Sequence, residues 1–524
     1  MNMKNIIKHS KWALVFFGIL SLSSCTEDVM DKINTNNDYS KDVISKFIIT
    51  DIETSTAFNI VGSDLSFYAS VYMEHEVGTY GQMWDADQRV SQPVSASTYD
   101  NQWKELYQNL KNAKIVIAKC SGTTGQDAKN QFTKGVAEVL SAYNLAILAD
   151  VYGDVPWSEA CDLSLPSPKT ILQPIVDKQL TVYTYIQTQL DNALIDLGGK
   201  DLGFAGGLGS QDLIFGGDAS LWTKFVYGLK ARYTMHLLYK STDPTTDLTN
   251  IITWANLSFA SPSEDCKYTT YQGQGTAAAS PFAQFYYDRD YFSVSQSFLD
   301  KLVARNDPRA GVLFMDAGWN LQTDPTKIYA APNGTADQVV DNYDISVYSV
   351  GFKIPTNLLS YHELQFLKAE AYARLNDFPN AWTSLQEAVS SCISTKTAAL
   401  VDDVNAEQGL GAVGITDAQI STYLTTEVQP LFTTNPLKEI MVQKYLGFYG
   451  GEGEALESYT DYRRLQAFGQ ESFIQLDNPL NTTRFPLRFG YGTSDVTANP
   501  NVEKLFGNGQ YVYTEKVWWA GGTR

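Results

Sequence analysis

The sequence predicts a mostly α-helical protein, a scaffold of tetratricopeptide-like helix pairs (an α-α superhelix) carrying an irregular, loop-rich half with short strands. Three observations predict it. Apolar residues recur at i, i+3, i+4 and i+7 through several long segments, which is the period of an amphipathic helix. Residues 241–357 lose that period and gain Pro, Gly, Asn and Asp with scattered aromatics, a composition of loops, turns and short helices or strands that holds too many aromatics for disorder. Helical periodicity then resumes over residues 357–393, as two helices meeting at Asn376-Asp377-Phe378.

Taken in order, the first element is a leader. Lys4, Lys8 and Lys11 form a basic region and WALVFFGILSL, residues 12–22, a short apolar one. That pattern is a secretory signal and is too short for a bilayer-spanning helix. Leu22-Ser23-Ser24-Cys25 resembles a bacterial lipobox, so Cys25 is expected to be lipidated, palmitate included, and to become the first residue of the mature chain. Several acyl chains anchor a protein stably without spanning the membrane. The organisation expected is a signal peptide over 1–24, a flexible lipidated tether over 25–40, polar and rich in Asn and Asp, and a single ligand-binding domain over 41–524.

Helices are expected over residues 99–119, 131–153, 176–197 and 218–240, the last opened by Asp218 as N-cap. A glycine-rich loop follows the third, over residues 200–210. In the 357–393 pair, measured from Ala381, the residues Ala369, Tyr372, Phe378, Leu385 and Ala388 match a tetratricopeptide repeat. Lys368 and Ile393 depart from it, standing where leucine and proline are usual.

Charge and cysteine content narrow the function. Removing residues 1–24 takes away three lysines and shifts the formal net charge from −19 to −22. A field of that sign repels phosphate backbones and anionic lipid, so no nucleic-acid partner is expected. Cys120, Cys161, Cys266 and Cys392 lie far apart with no CxxC or Cys/His pair at ligand spacing, which points to buried small side chains and to no metal or cofactor.

The order of several segments resembles the SusD/RagB nutrient-binding outer-membrane lipoproteins, in their SusD-like branch, over nearly the whole chain. The carriers are the lipobox, WKELYQNLKNA at 103–113, ADVYGDVPWSEA at 149–160, WTKFVYGLKAR at 222–232, NDPRAG at 306–311, FLKAEAYAR at 366–374, IMVQKYLGFYG at 440–450 and YRR at 462–464. The resemblance implies a helical scaffold that resembles a hinged lid over a TonB-dependent barrel transporter and hands it oligosaccharide or peptide. It also implies an outer-membrane lipoprotein facing the cell exterior, with Thr26-Glu27-Asp28 looking like the export signal of such proteins. Most of these segments read as fold markers. Asp150, Asp154 and Trp157 cap and pack a turn, while Arg232, Arg463 and Arg464 partner helix ends and carboxylates.

A neutral sugar needs flat apolar faces with amides and carboxylates at their rim. GTYGQMWDADQR, residues 78–89, offers Tyr80 and Trp84 on a turn-rich segment edged by Gln82, Asp85, Asp87 and Gln88. FAQFYYDRDYF, residues 282–292, offers Tyr286, Tyr287 and Tyr291 beside Asp288, Arg289 and Asp290, and Trp319 stands in a Gly/Asn loop. The candidate ligand-binding set is Tyr80, Trp84, Tyr287, Arg289, Tyr291 and Trp319. Arg289 would equally grip a peptide carboxylate. No GxSxG, HExxH or P-loop is present, and His75, His236 and His362 all fall on helical patterns, so no enzymatic activity is expected. A surface adhesin is the structural alternative.

Overall fold

A computed structural model describes residues 42–90, 95–161, 172–450 and 453–524. The expected signal peptide, Cys25 and the 25–40 tether lie outside them. Residues Ser45–Arg524 cluster as one compact unit. Among the described residues no helix is long and apolar enough to cross a membrane.

The unit opens with α1 (Ser45–Ser55), α2 (Asp64–Tyr72), strand β1 (Glu76–Gly78) and the short helix α3 (Gly81–Asp87). The four expected helices follow as α4 (Asp100–Ser121), α5 (Gln131–Tyr152), α6 (Gln179–Asp196) and α7 (Ala219–His236). Asp218 caps α7, accepting from the backbone N–H groups of Ser220 and Leu221 at 2.8 and 3.1 Å. From Val136 to Tyr152 every side chain of α5 is buried, as in a helix packed on all sides.

Residues 241–357 hold more helix than their composition suggests. Helix α8 (Pro244–Leu257) starts on Pro244 behind an Asp243 cap. Asp-Pro reads as a turn in sequence, yet proline is also suited to a helix's first position. Helices α9 (Pro281–Arg289) and α10 (Gln296–Val303) follow. The strands are short and antiparallel: β1 pairs with β3 (Phe292–Val294), β2 (Cys266–Tyr268) with β6 (Thr356–Leu359), and β4 (Phe314–Met315) with β5 (Ile345–Ser346).

The tetratricopeptide-like pair is α11 (Tyr361–Arg374) and α12 (Phe378–Ser391), capped by Ser360 and Asp377. Ala369, Ala381, Leu385 and Ala388 are fully buried between them, while Phe378 is exposed at the turn. Helices α13 (Pro436–Gly447) and α14 (Gly453–Phe468) close the scaffold.

Buried charge knits these helices together. Arg232 of α7 grips Glu363 of α11 at 2.7 and 2.6 Å. Arg464 of α14 makes a bidentate pair with Glu370 at 2.6 and 2.7 Å and donates to Asp461 at 2.7 Å, whose other oxygen meets Lys444. Arg463 donates to the Asp150 carbonyl at 2.8 Å. His236 donates from both ring nitrogens, to Asp150 at 3.1 Å and Glu457 at 2.9 Å. Burial alone would depress its pKa, but those two carboxylates outweigh it and raise it to about 9. Of the three expected helical histidines, His75 instead sits in the bend between α2 and β1.

The 149–160 segment behaves as a structural turn. Asp154 accepts from the Gln179 N–H at 2.8 Å and from Lys178 at 2.9 Å, and Trp157 is buried. Gly153 has φ +80° and a Cβ there would meet Arg488 at 2.8 Å, so the position admits only glycine. Cys120, Cys266 and Cys392 are buried and Cys161 is half-buried, all four as free thiols.

Candidate functional site

Pairing of β1 with β3 creates the site. Gly78 lies opposite Phe292, and one residue further the Thr79 N–H donates to the Tyr291 carbonyl at 2.9 Å. This brings the start of α3 against the end of α9, segments more than two hundred positions apart in sequence. Gly81, with φ +53°, lets the chain turn there; a Cβ would strike the Tyr291 ring at 2.7 Å. Tyr80 and Tyr291 consequently meet with ring centroids 5.5 Å apart, and Tyr291 meets Phe285 edge-on at 5.7 Å.

Beside these rings lies a cavity of about 570 Å³, lined by Asp64, Tyr68, Gln82, Ser97, Thr98, Asn101, Phe285, Asp288, Arg289 and Tyr291. Its size is that of a small-molecule site. The floor is set by α2: Tyr68 is buried, and its hydroxyl pKa is pushed up by burial and then by Asp64 and Asp85. Asp64 is also raised, by burial, against the hydrogen bonds of Asn101 and Gln102. The rim carries amides and hydroxyls from the start of α4 and the exposed Asp288 and Arg289 from the end of α9. Aromatic faces below a rim of neutral donors and acceptors, with one guanidinium and two carboxylates, suit a hydroxyl-rich or amide-rich ligand.

The sequence-predicted residues divide. Tyr291 and Arg289 line the cavity, as do Gln82 and Asp288, and Tyr80 stands exposed against Tyr291. Trp84 does not line it: its indole N–H donates to the Ala336 carbonyl at 2.9 Å, which fixes the ring against the 332–337 loop. Tyr287 points away as well, exposed and edge-on to Phe352 at 6.0 Å. Trp319 packs half-buried against the main core, in a turn closed by its own N–H to Asp316 at 2.8 Å.

Two local expectations are corrected. Trp84 lies in the helix Gly81–Asp87 and Tyr286 and Tyr287 in the helix Pro281–Arg289, not in loops, whereas Tyr80, the N-cap of the first, and Tyr291, beyond the end of the second, do lie outside them. Asp87, expected at a ligand rim, is fully buried and accepts from the Gly334 N–H at 2.8 Å; burial raises its pKa to about 7, against the pull of Arg89.

Asp64, Tyr68, Ser97, Thr98, Asn101 and Phe285 line the cavity without having been singled out in sequence. Tyr68 is buried on α2, and Phe285 falls within the aromatic run 282–292, where nothing local separates it from its neighbours. Ser97 and Thr98 precede α4 and Asn101 lies in its first turn, where their residue types read as capping. Nothing local marked them as ligand-facing.

Residues 36–492 match a SusD-like family described as starch-binding and associating with the outer membrane. A SusD/RagB family protein from Bacteroides thetaiotaomicron has 40% sequence identity and a TM-score of 0.84, over 92% of this chain and 100% of that one. A SusD homolog from Bacteroides fragilis aligns at 18% identity and TM-score 0.64, over 91% and 100% of the two chains. A chitin-binding SusD homolog from Flavobacterium johnsoniae aligns at 16% identity and TM-score 0.65, over 91% and 98%. No curated protein matches the chain.

Proposed function

The chain belongs to the SusD-like family of outer-membrane-associated nutrient-binding proteins, and on that premise we propose that it is a cell-surface lipoprotein that captures oligosaccharide and passes it, uncleaved, to a partner TonB-dependent barrel transporter. The observation carrying this reading is the cavity beside Tyr291, where Tyr68, Phe285 and Tyr291 offer ring faces and Gln82, Ser97, Thr98 and Asn101 offer hydroxyl partners. The leader sequence and Cys25 support lipid anchoring in the outer membrane. Transfer to a barrel is supported by family membership.

Calorimetry against a panel of neutral oligosaccharides, with product analysis of the same mixtures, tests the reading. Saturable one-to-one binding with unchanged ligand is the expected outcome. Turnover lost on substituting Asp64 or Asp288 would make the protein an enzyme and end the delivery reading. A peptide ligand is the second reading, favoured by Arg289 exposed on the cavity wall, which could hold a carboxylate.

A further inference from the structure

The strongest unexplained surface feature lies far along the chain from the cavity, in the glycine-rich loop after α6. Phe204 is 95% exposed and Leu202 71% exposed, and Ile195 on the last turn of α6 is 70% exposed. An aromatic side chain standing almost wholly in water forgoes the gain of burial, and here the loop is ordered so as to hold it there. The Leu202 N–H donates to the Lys129 carbonyl at 3.2 Å, the Ala205 N–H to the Gln126 carbonyl at 2.9 Å, and the Gly203 N–H to the Asn130 side chain at 2.6 Å. Asn130 in turn donates to the Gly206 carbonyl at 3.1 Å. A Cβ on Gly203 would come within 2.7 Å of Asn130 and of the Gln126 carbonyl, so the close seating of the tip depends on glycine.

The same end of the unit holds its first residue. The Ser45 N–H donates to both Asp127 oxygens at 3.2 Å, and Lys46 reaches the Ala205 carbonyl at 3.1 Å. The chain that leads back to Cys25 is therefore joined beside this tip. Phe47 on α1 is exposed too, at 47%. The cations Lys129 and Lys200 flank the tip and are exposed; of the acids nearby, Asp127 is buried against Lys119, Asp196 pairs with Lys134, and the half-buried Asp201 is occupied by the Thr133 N–H and hydroxyl. A protein of net charge −19 thus presents an apolar tip edged by lysines at the point where its N-terminal segment enters.

We propose that this tip is a lipid-facing surface: Phe204 and Leu202 enter the interfacial layer of the membrane carrying the anchor, and Lys129 and Lys200 meet its anionic headgroups. Apolar side chains with flanking lysines are the pattern of interfacial binding, and each surface cation adds to attraction by anionic lipid. A short apolar contact gives weak binding by itself, so its role is to fix which face of the anchored protein meets the bilayer. The proposal rests on the lipid-anchor reading above.

The test uses the full lipidated chain on vesicles of phosphatidylethanolamine with a minor share of phosphatidylglycerol. Phe204→Cys, in a Cys161→Ser background, carries an environment-sensitive dye, and Val413→Cys, at another highly exposed apolar position (77%), is the control. The expected result is a blue-shifted emission at 204 quenched by a lipid-borne quencher, with 413 unchanged. Lys129→Glu with Lys200→Glu should reduce the shift. A chain that stays on the vesicles while the 204 dye keeps its aqueous emission overturns the lipid contact alone. One that leaves the vesicles overturns the anchor and the contact together. If the 204 dye is shielded only when a protein partner is present, the tip is a protein interface and the lipid assignment fails.

Discussion

The scaffold around α7, α11 and α14 and the site between α2, α3 and α9 both use arginine, tyrosine and carboxylates, in opposite ways. In the scaffold Arg464 is fully buried and every strong partner is a fixed carboxylate. At the site Arg289 is exposed on a cavity wall, beside rings that stack only in part. Satisfied charge in low dielectric pins helices to one another, while charge left in water remains available to a visitor. The same residue types thus build rigidity in one region and receptivity in the other.

The largest test of that contrast removes a scaffold partner. Arg464→Ala leaves Glu370 and Asp461 buried with part of their compensation gone and should cost about 3–5 kcal/mol, the range for breaking a buried pair. Urea unfolding measures it, and a loss under about 1 kcal/mol would mean that the pair does not pin α11 to α14.

A second test acts through pH. His236 has its pKa raised to about 9 by Asp150 and Glu457, above the ~6.5 of an unfolded histidine. Its contribution is therefore fully present below about pH 6.5 and is lost as pH rises through 9, for a total of roughly 3 kcal/mol. His236→Asn should be less stable than the parent at neutral pH, and the gap should narrow at pH 10. A gap that stays constant would remove the imidazolium from the account.

The scaffold was also the region that sequence described well. Long apolar periods give α4 to α7, the small residues Ala369 and Ala381 give the α11–α12 pair, and Arg232 and Arg464 were placed against carboxylates because charge that is buried must be paired. The site was legible only as composition. Tyr291 and Arg289 line the cavity, whereas Trp84 donates to the Ala336 carbonyl and Trp319 packs against the core, and no local pattern distinguishes an aromatic aimed at a cavity from one aimed at the core. What decides between them is a three-residue strand pairing across more than two hundred positions, which is too short to leave a period. Helices α3 and α9 were hidden for a related reason: Gly81 and Pro281 at their starts read as loop residues.

The next test asks whether the two kinds of aromatic differ energetically. Tyr291→Ala should weaken ligand binding by about 2 kcal/mol, a usual hot-spot value. Trp84→Ala should leave affinity alone and instead lower stability by about 1–3 kcal/mol, through the lost indole hydrogen bond and packing. Calorimetry and thermal unfolding on both variants check this. If Trp84→Ala abolishes binding while the fold is intact, the cavity wall is drawn in the wrong place.

The smallest effect is expected at Arg289 and sharpens the contrast most. Its guanidinium is exposed, so Arg289→Gln should change unfolding free energy by no more than about 0.5 kcal/mol, the usual range for a surface substitution. Binding then reports what the cavity receives. For a neutral oligosaccharide the contacts are hydrogen bonds to hydroxyls, and affinity should fall little in the variant and vary little between low and high salt. For a peptide held by its carboxylate, the pair sits within reach of water, so salt screens it. Affinity would drop with ionic strength in the parent, and Arg289→Gln would be weaker and nearly insensitive to salt. A salt slope present in the parent and absent in the variant therefore assigns the charge on the ligand to this one side chain, and its absence from both leaves the neutral oligosaccharide reading standing.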